Sequence, residues 1–77
     1  PEGIITLNRM SFDQIAEKLE RYYNVKIVIE RSELPVIKYQ SCKIRVSDGI
    51  NHAMQLLQMA SDFTYTYDEI ENIIRIK

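Results

Sequence analysis

The stretch SFDQIAEKLERYYNVKIVI, residues 11–29, decides the fold of this chain, because it joins a capped amphipathic helix to a strand. Ser11 has the residue type and position of an N-cap, and Gln14 three residues later completes a capping box. Asn24 can adopt the left-handed conformation that ends a helix. The apolar residues recur at the spacing of one helical face: Phe12, Ile15, Ala16, Leu19, Tyr22 and Tyr23.

Strand patterns lie on both sides of this helix. Residues 3–9 predict a first strand with Ile5 and Leu7 on one face, and residues 25–29 predict a second. Residues 36–46, VIKYQSCKIRV, are rich in β-formers, and their alternation changes parity near Gln40-Ser41, which indicates a bulge.

The second half of the chain repeats the strand, helix, strand pattern. Ser47 and Asp48 are predicted N-caps of a helix that ends near Ser61, with Gly49 as a weak position in its first turn. Two strands separated by a turn at 68–72 follow, at residues 63–67 and 73–77.

The order β-α-β plus β-α-β-β predicts an α+β fold with two helices packed on small sheets. Neither half can bury its own apolar face, so residues 1–77 are predicted to form one domain. Residues 1–3 read as a linker remnant of a longer protein.

Composition argues against several classes of function. Ten basic and eleven acidic residues leave a net charge of −1, which gives no electrostatic reason to expect nucleic acid. No apolar run approaches the roughly 18 residues of a membrane span. The single Cys42 cannot form an intramolecular disulfide, and its place in an alternating strand predicts a small buried hydrophobe.

The sequence predicts neither catalysis nor a cofactor or metal site. His52, the only histidine, lies on the polar side of the second helix and is expected to face solvent. A Cys42–His52 nucleophile pair would also need an oxyanion site, and no metal-ligand spacing is present. The two glycines match no phosphate-binding loop.

Binding through the surface is what remains. Edge strands expose unpaired main-chain groups to which a partner can add a strand. We predict two such edges, at residues 34–39 and 73–77, although Pro35 and the charges Arg75 and Lys77 are equally typical of ordinary edge protection. The candidate partner-binding residues are Val36, Ile37, Lys38 and Tyr39 on the first edge, and Ile73, Arg75 and Lys77 on the second.

Read together, these motifs resemble a known family. LNRMSFDQIAEKLERYYNVKIVIE, residues 7–30, resembles the opening of the C-terminal domain of FecR-type anti-sigma factors, especially those of Bacteroidetes. INHAMQLLQMASDFTYTYDEIENIIRIK, residues 50–77, is similar to the ending of the same domain. Leu7 matches the family in being apolar but stands where Phe is commoner, and the chain also departs from the family pattern at Cys42 and Gly49. The matching residues in the first half include Leu7, Phe12, Ile15, Leu19, Glu20, Arg21, Tyr23, Asn24, Val25, Lys26 and Ile27.

The resemblance implies a non-catalytic periplasmic interaction domain that is similar in layout to the secretin and TonB N-terminal (STN) fold. In such proteins a cytoplasmic segment holds an extracytoplasmic-function sigma factor, and one membrane span, absent from this sequence, joins it to the periplasmic part. The implied direct partner is the signalling domain of a TonB-dependent outer-membrane transporter.

Two alternatives stay open at this point. The first is the transporter's own N-terminal signalling domain, in which a TonB box and plug would follow the last strand. The second is a small α+β nucleic-acid-binding module that stacks bases on its tyrosines, although threonines and carboxylates surround Tyr65 and Tyr67.

Overall fold

The computed structural model of the protein describes residues 3–39 and 41–77. The predicted linker remnant at Pro1 and Glu2, and Gln40 at the predicted bulge, lie outside the described residues. The predicted element order is confirmed, and Val46–Asp48 adds a short 3-10 turn. The elements are β1 (Ile4–Asn8), α1 (Phe12–Tyr23), β2 (Lys26–Ile29), β3 (Ser41–Arg45), α2 (Ile50–Ala60), β4 (Tyr65–Asp68) and β5 (Ile73–Ile76).

The strands form two small sheets, and each sheet takes strands from both halves of the chain. β1 pairs antiparallel with β3, with Ile5 opposite Ile44. The second sheet has the order β2-β5-β4, in which β5 runs parallel to β2 and antiparallel to β4. The two halves therefore interleave, and the predicted α+β class with two helices and small sheets is confirmed.

Helix α1 begins and ends as its sequence predicts. The Gln14 side chain accepts a hydrogen bond from the Ser11 amide at 3.1 Å, and the Ser11 hydroxyl donates to Asp13. The same bond from Ser11 lowers the pKa of the Asp13 carboxyl, because it favours the charged form. At the other end Asn24 is left-handed, with φ 55°, and its amide donates to the Glu20 carbonyl.

The start of α2 differs from the prediction. Ser47 and Asp48 are not N-caps, because both lie in the 3-10 turn before the helix. Gly49 is the N-cap instead, and its φ of 94° and ψ of 163° are a backbone conformation that L side chains rarely adopt. The position that looked weak in the sequence is thus where glycine is needed.

One core lies between the helices and both sheets. Phe12 and Phe63 meet edge to face, with ring centroids 5.3 Å apart. The alternating strands point one face inward, as Ile5 and Leu7 do from β1. The largest fully buried side chains are Phe12, Ile5, Leu19, Ile44, Met54, Ile74 and Ile76.

The last strand is not the edge that the sequence suggested. β5 lies in the centre of its sheet and is paired on both sides. The prediction of an open edge at Ile73, Arg75 and Lys77 is therefore wrong in its premise. Ile74 and Ile76 are fully buried, and the Arg75 side chain pairs with Glu30 at 3.2 Å.

Tyr23 carries a polar atom with no partner among the described residues. Its hydroxyl is buried without a hydrogen bond there. Burial, with a smaller contribution from Asp48, raises the pKa of this phenol. A buried hydroxyl without a partner costs free energy that a phenyl ring would not.

We expect Tyr23→Phe to raise the free energy of unfolding by about 1 kcal/mol, since it removes this hydroxyl and keeps the ring. Urea unfolding followed by circular dichroism measures the change. Tyr22→Phe, in the exposed neighbour, is the matched control and should change stability by less than about 0.5 kcal/mol. A loss of stability in Tyr23→Phe would show that the hydroxyl is bonded in solution.

Candidate interaction surface

The segment of residues 34–39 is the candidate interaction surface. The sequence predicted a strand there, but residues 34–39 have no regular secondary structure, so this edge-strand prediction is wrong. Two hydrogen bonds fix the segment to the end of α2 instead. The Lys38 amide donates to the Ala60 carbonyl at 2.6 Å, and the buried Ser61 hydroxyl donates to the Val36 carbonyl at 2.8 Å.

Burial along this segment separates its anchors from its exposed groups. Pro35 is buried, and Ile37 is half-buried against the core. The side chains of Leu34, Val36 and Tyr39 are 45%, 75% and 62% exposed. Apolar groups on a backbone that is held in place form a surface that a partner can cover with little loss of main-chain entropy.

An open groove of about 700 Å³ runs beside the segment. One wall is the connection from β1 to α1, with Arg9, Met10 and Phe12, and the other wall is the 34–39 segment. Its lining is mainly apolar, and the Arg9 guanidinium supplies a positive charge. The groove is open to solvent, which suits a protein surface better than a small molecule that needs enclosure.

A smaller apolar cavity lies beneath the same segment. It has a volume of about 20 Å³ and is bounded by Ile37, Tyr39, Cys42 and Leu56 among others, which is room for about one water molecule. Cys42 is half-buried there, and burial raises the pKa of its thiol. This protonated thiol fits the predicted role as a small hydrophobe.

The structure brings together only the first of the two predicted sets of binding residues. Val36, Ile37 and Tyr39 line the groove and Lys38 is exposed between Ile37 and Tyr39, whereas Ile73 and Arg75 belong to the central strand β5 and Lys77 follows it. Sequence reasoning placed Leu34 in the candidate edge segment of residues 34–39, but it missed Arg9 and Met10 on the other wall of the groove. The only signal for Met10 was its place before the helix cap.

The chemical groups that the sequence singled out do not converge on a catalytic centre. His52 is exposed, with its Nε2 atom 3.8 Å from the Asp48 carboxylate. Within residues 3–39 and 41–77, no three His, Cys, Asp or Glu side chains are grouped so that they could hold a metal ion. None of the helices in this part of the chain has the length and apolar character needed to span a membrane.

These features define a small α+β domain that offers an exposed apolar surface rather than an enclosed polar pocket. The family model described as FecR, C-terminal matches residues 4–76, and the chain belongs to this family. No curated protein and no solved structure matches the chain.

Membership of this family assigns the domain to a regulatory class. The FecR family is a non-catalytic family of anti-sigma factors that acts in cell-surface signalling through a sigma-factor pathway. Its C-terminal domains are generally periplasmic parts of membrane proteins.

Proposed function

We propose that this domain lies in the periplasm and receives a signal from a TonB-dependent outer-membrane transporter by binding the transporter's signalling domain. The signal passes on through the rest of the anti-sigma factor, whose cytoplasmic part holds an extracytoplasmic-function sigma factor. The observation that carries the proposal is the exposed apolar 34–39 segment beside the groove. Family membership favours this role over that of the transporter's own signalling domain.

The chemistry of the segment supports contact with a folded partner. Val36 and Tyr39 present large apolar area, and an aromatic side chain at the centre of a contact is a frequent hot spot. Lys38 is exposed between them, and Arg9 lies on the facing wall. The two cations favour a partner surface with carboxylates around an apolar centre.

The test is a calorimetric titration of this chain with the signalling domain of the transporter encoded beside it. Tyr39→Ser should weaken binding about tenfold, because it removes an exposed aromatic contact without opening the core. Val36→Ser should act in the same direction. Circular dichroism checks that each variant keeps its fold.

A matched control is available on another part of the surface. Ile70 lies in the turn between β4 and β5 and is 95% exposed, so Ile70→Ser removes a comparable apolar side chain away from the groove. It should leave binding unchanged. Equal affinity of the Tyr39→Ser, Val36→Ser and Ile70→Ser variants would show that the 34–39 segment is not part of the interface. If the wild-type chain did not bind at all, the direct contact with the transporter's signalling domain would be rejected.

A further inference from the structure

Strand β4 is an edge whose outward main-chain groups are unpaired among the described residues. Thr64 and Lys77 exchange amide-to-carbonyl hydrogen bonds of 3.0 and 2.8 Å. In an antiparallel ladder such pairs alternate with non-bonded ones. The amides and carbonyls of Tyr65 and Tyr67 therefore point away from β5, toward the open side of the sheet.

On β1 and on β2, one outward main-chain group is bonded to a side chain of α1. The Lys18 ammonium donates to the outward carbonyl of Thr6 on β1 at 3.3 Å. The Glu20 carboxylate accepts from the outward amide of Ile27 on β2 at 2.8 Å.

The remaining edges differ in how they are protected. Strand β3 carries exposed Lys43 and Arg45, the usual deterrent to edge pairing. Near β4, the Gln58 amide group donates to the carbonyl of Phe63, which lies just before the strand. No described side chain bonds to the outward amides and carbonyls of Tyr65 and Tyr67 within the strand.

We propose that two copies of this chain associate by antiparallel pairing of their β4 strands about a two-fold axis at Thr66. In this register Tyr65 of one copy is directly opposite Tyr67 of the other, and each pair exchanges both of its hydrogen bonds. Every outward amide and carbonyl of the two tyrosines is then satisfied. The result is a continuous sheet across the dimer, with the isologous contact typical of two-fold symmetry.

The side chains of β4 are complementary to themselves in this register. Tyr65 pairs with a tyrosine, and Thr66 pairs with its own copy, both favourable cross-strand combinations. Thr64 falls opposite Asp68, whose carboxylate can accept a hydrogen bond from a hydroxyl. Within residues 64–68 no two like charges face each other, so a second copy suits this edge.

The hydroxyls of the two tyrosines hold the edge in its present form. Tyr65 donates to the Asn51 side chain at 3.0 Å, and Tyr67 is bonded to the Asn72 side chain at 3.2 Å. Both rings are half-buried against the domain. The strand is thus fixed before association, which reduces the entropy lost on pairing.

The experiment is sedimentation equilibrium of the 77-residue chain between about 10 μM and 1 mM. A contact made by one four-residue strand from each copy is small, so we expect a weak, concentration-dependent dimer. The wild-type mass should rise toward twice 9.1 kDa. Thr66→Glu should raise the dissociation constant about fivefold or more, because it sets two carboxylates opposite each other on the axis. The same carboxylate lies across from Arg75 within one copy, so the fold tolerates it.

Two further variants make the result specific. Thr66→Gln has a similar size without charge and should dimerise like the wild type. An equimolar mixture of Thr66→Glu and Thr66→Lys should associate more tightly than either variant alone, because opposite charges then meet on the axis. Amide hydrogen exchange at Tyr65 and Tyr67 should slow as the wild-type concentration rises.

A wild-type chain that is monomeric at about 1 mM overturns the proposal. The proposal is also overturned if Thr66→Glu leaves the dissociation constant of the dimer unchanged, or if mixing Thr66→Glu with Thr66→Lys does not restore association. Either result would mean that the dimer forms through another surface. If Thr66→Glu instead weakens only binding to the transporter's signalling domain, the edge belongs to that partner. The proposal is independent of the transporter contact, which uses the 34–39 segment.

Discussion

Replacing Phe12 with alanine is expected to lower the free energy of unfolding by about 3–5 kcal/mol. Phe12 is 2% exposed at the first position of α1, where its ring meets the edge of Phe63. The substitution removes this aromatic pair and leaves a cavity between α1 and the connection from α2 to β4. A domain of this length has a total stability of about 4–12 kcal/mol, so this loss is a large share of the total and should lower the urea midpoint strongly.

Urea unfolding monitored at 222 nm measures this loss. Tyr22→Ala is the matched control on the same helix, because its side chain is 48% exposed and alanine favours helix; it should cost less than about 1 kcal/mol. Phe12→Leu keeps most of the buried volume and should fall between the two. Equal stability of Phe12→Ala and Tyr22→Ala would contradict the packing described here.

Gly49→Ala is expected to cost about 2 kcal/mol, within a range of roughly 1–3 kcal/mol for a strained backbone. A Cβ atom at Gly49 would meet nothing within 4 Å. Steric overlap with other residues therefore does not contribute. The cost comes from the φ of 94°, which an L-alanine adopts only with strain.

Chemical synthesis of the 77-residue chain permits a sharp control at the same position. D-alanine favours positive φ, so it should restore the stability lost in Gly49→Ala and exceed glycine slightly by reducing the entropy of the unfolded chain. Thermal unfolding of the three proteins gives the order. If L-alanine and D-alanine were equally stable, the left-handed junction between the 3-10 turn and α2 would not exist in solution.

Local patterns explain which parts of the fold could be predicted. The limits of α1 follow from Ser11, Gln14 and Asn24, because capping involves residues within a few positions of each other. The inward face of β1 follows from the alternation at Ile5 and Leu7. The turn after β4 was also predictable, since the Asp68 carboxylate accepts from the Ile70 and Glu71 amides.

The order of strands in a sheet depends on contacts that are distant in sequence, and there the prediction was wrong. Residues 73–77 were expected to form an edge strand, but β5 lies between β2 and β4. The alternation of buried Ile74 and Ile76 with half-buried Ile73 and Arg75 would be the same in an edge strand, so the local pattern does not reveal the central position.

The strand propensity that led to the candidate surface at residues 36–39 did not lead to a strand. VIKY at 36–39 has high strand propensity, but its main chain bonds to Ala60 and Ser61 at the end of α2. Propensity could not reveal this, because the competing partner is more than twenty residues away. The two hydrogen bonds to the end of α2 hold the segment in the conformation that leaves Val36 and Tyr39 exposed.

The central position of β5 also bears on the order in which the chain can fold during its synthesis. β2 pairs Lys26 with Ile73, so the strand leaves the ribosome long before its neighbour exists. β4 likewise waits for β5. Neither β2 nor β4 has a partner in this sheet until residues 73–76 emerge. Pairing β2 with β5 closes the long loop between Lys26 and Ile73, which slows folding. A chain that stops before Ile73 therefore lacks the central strand of this sheet, and we expect it to form no stable domain.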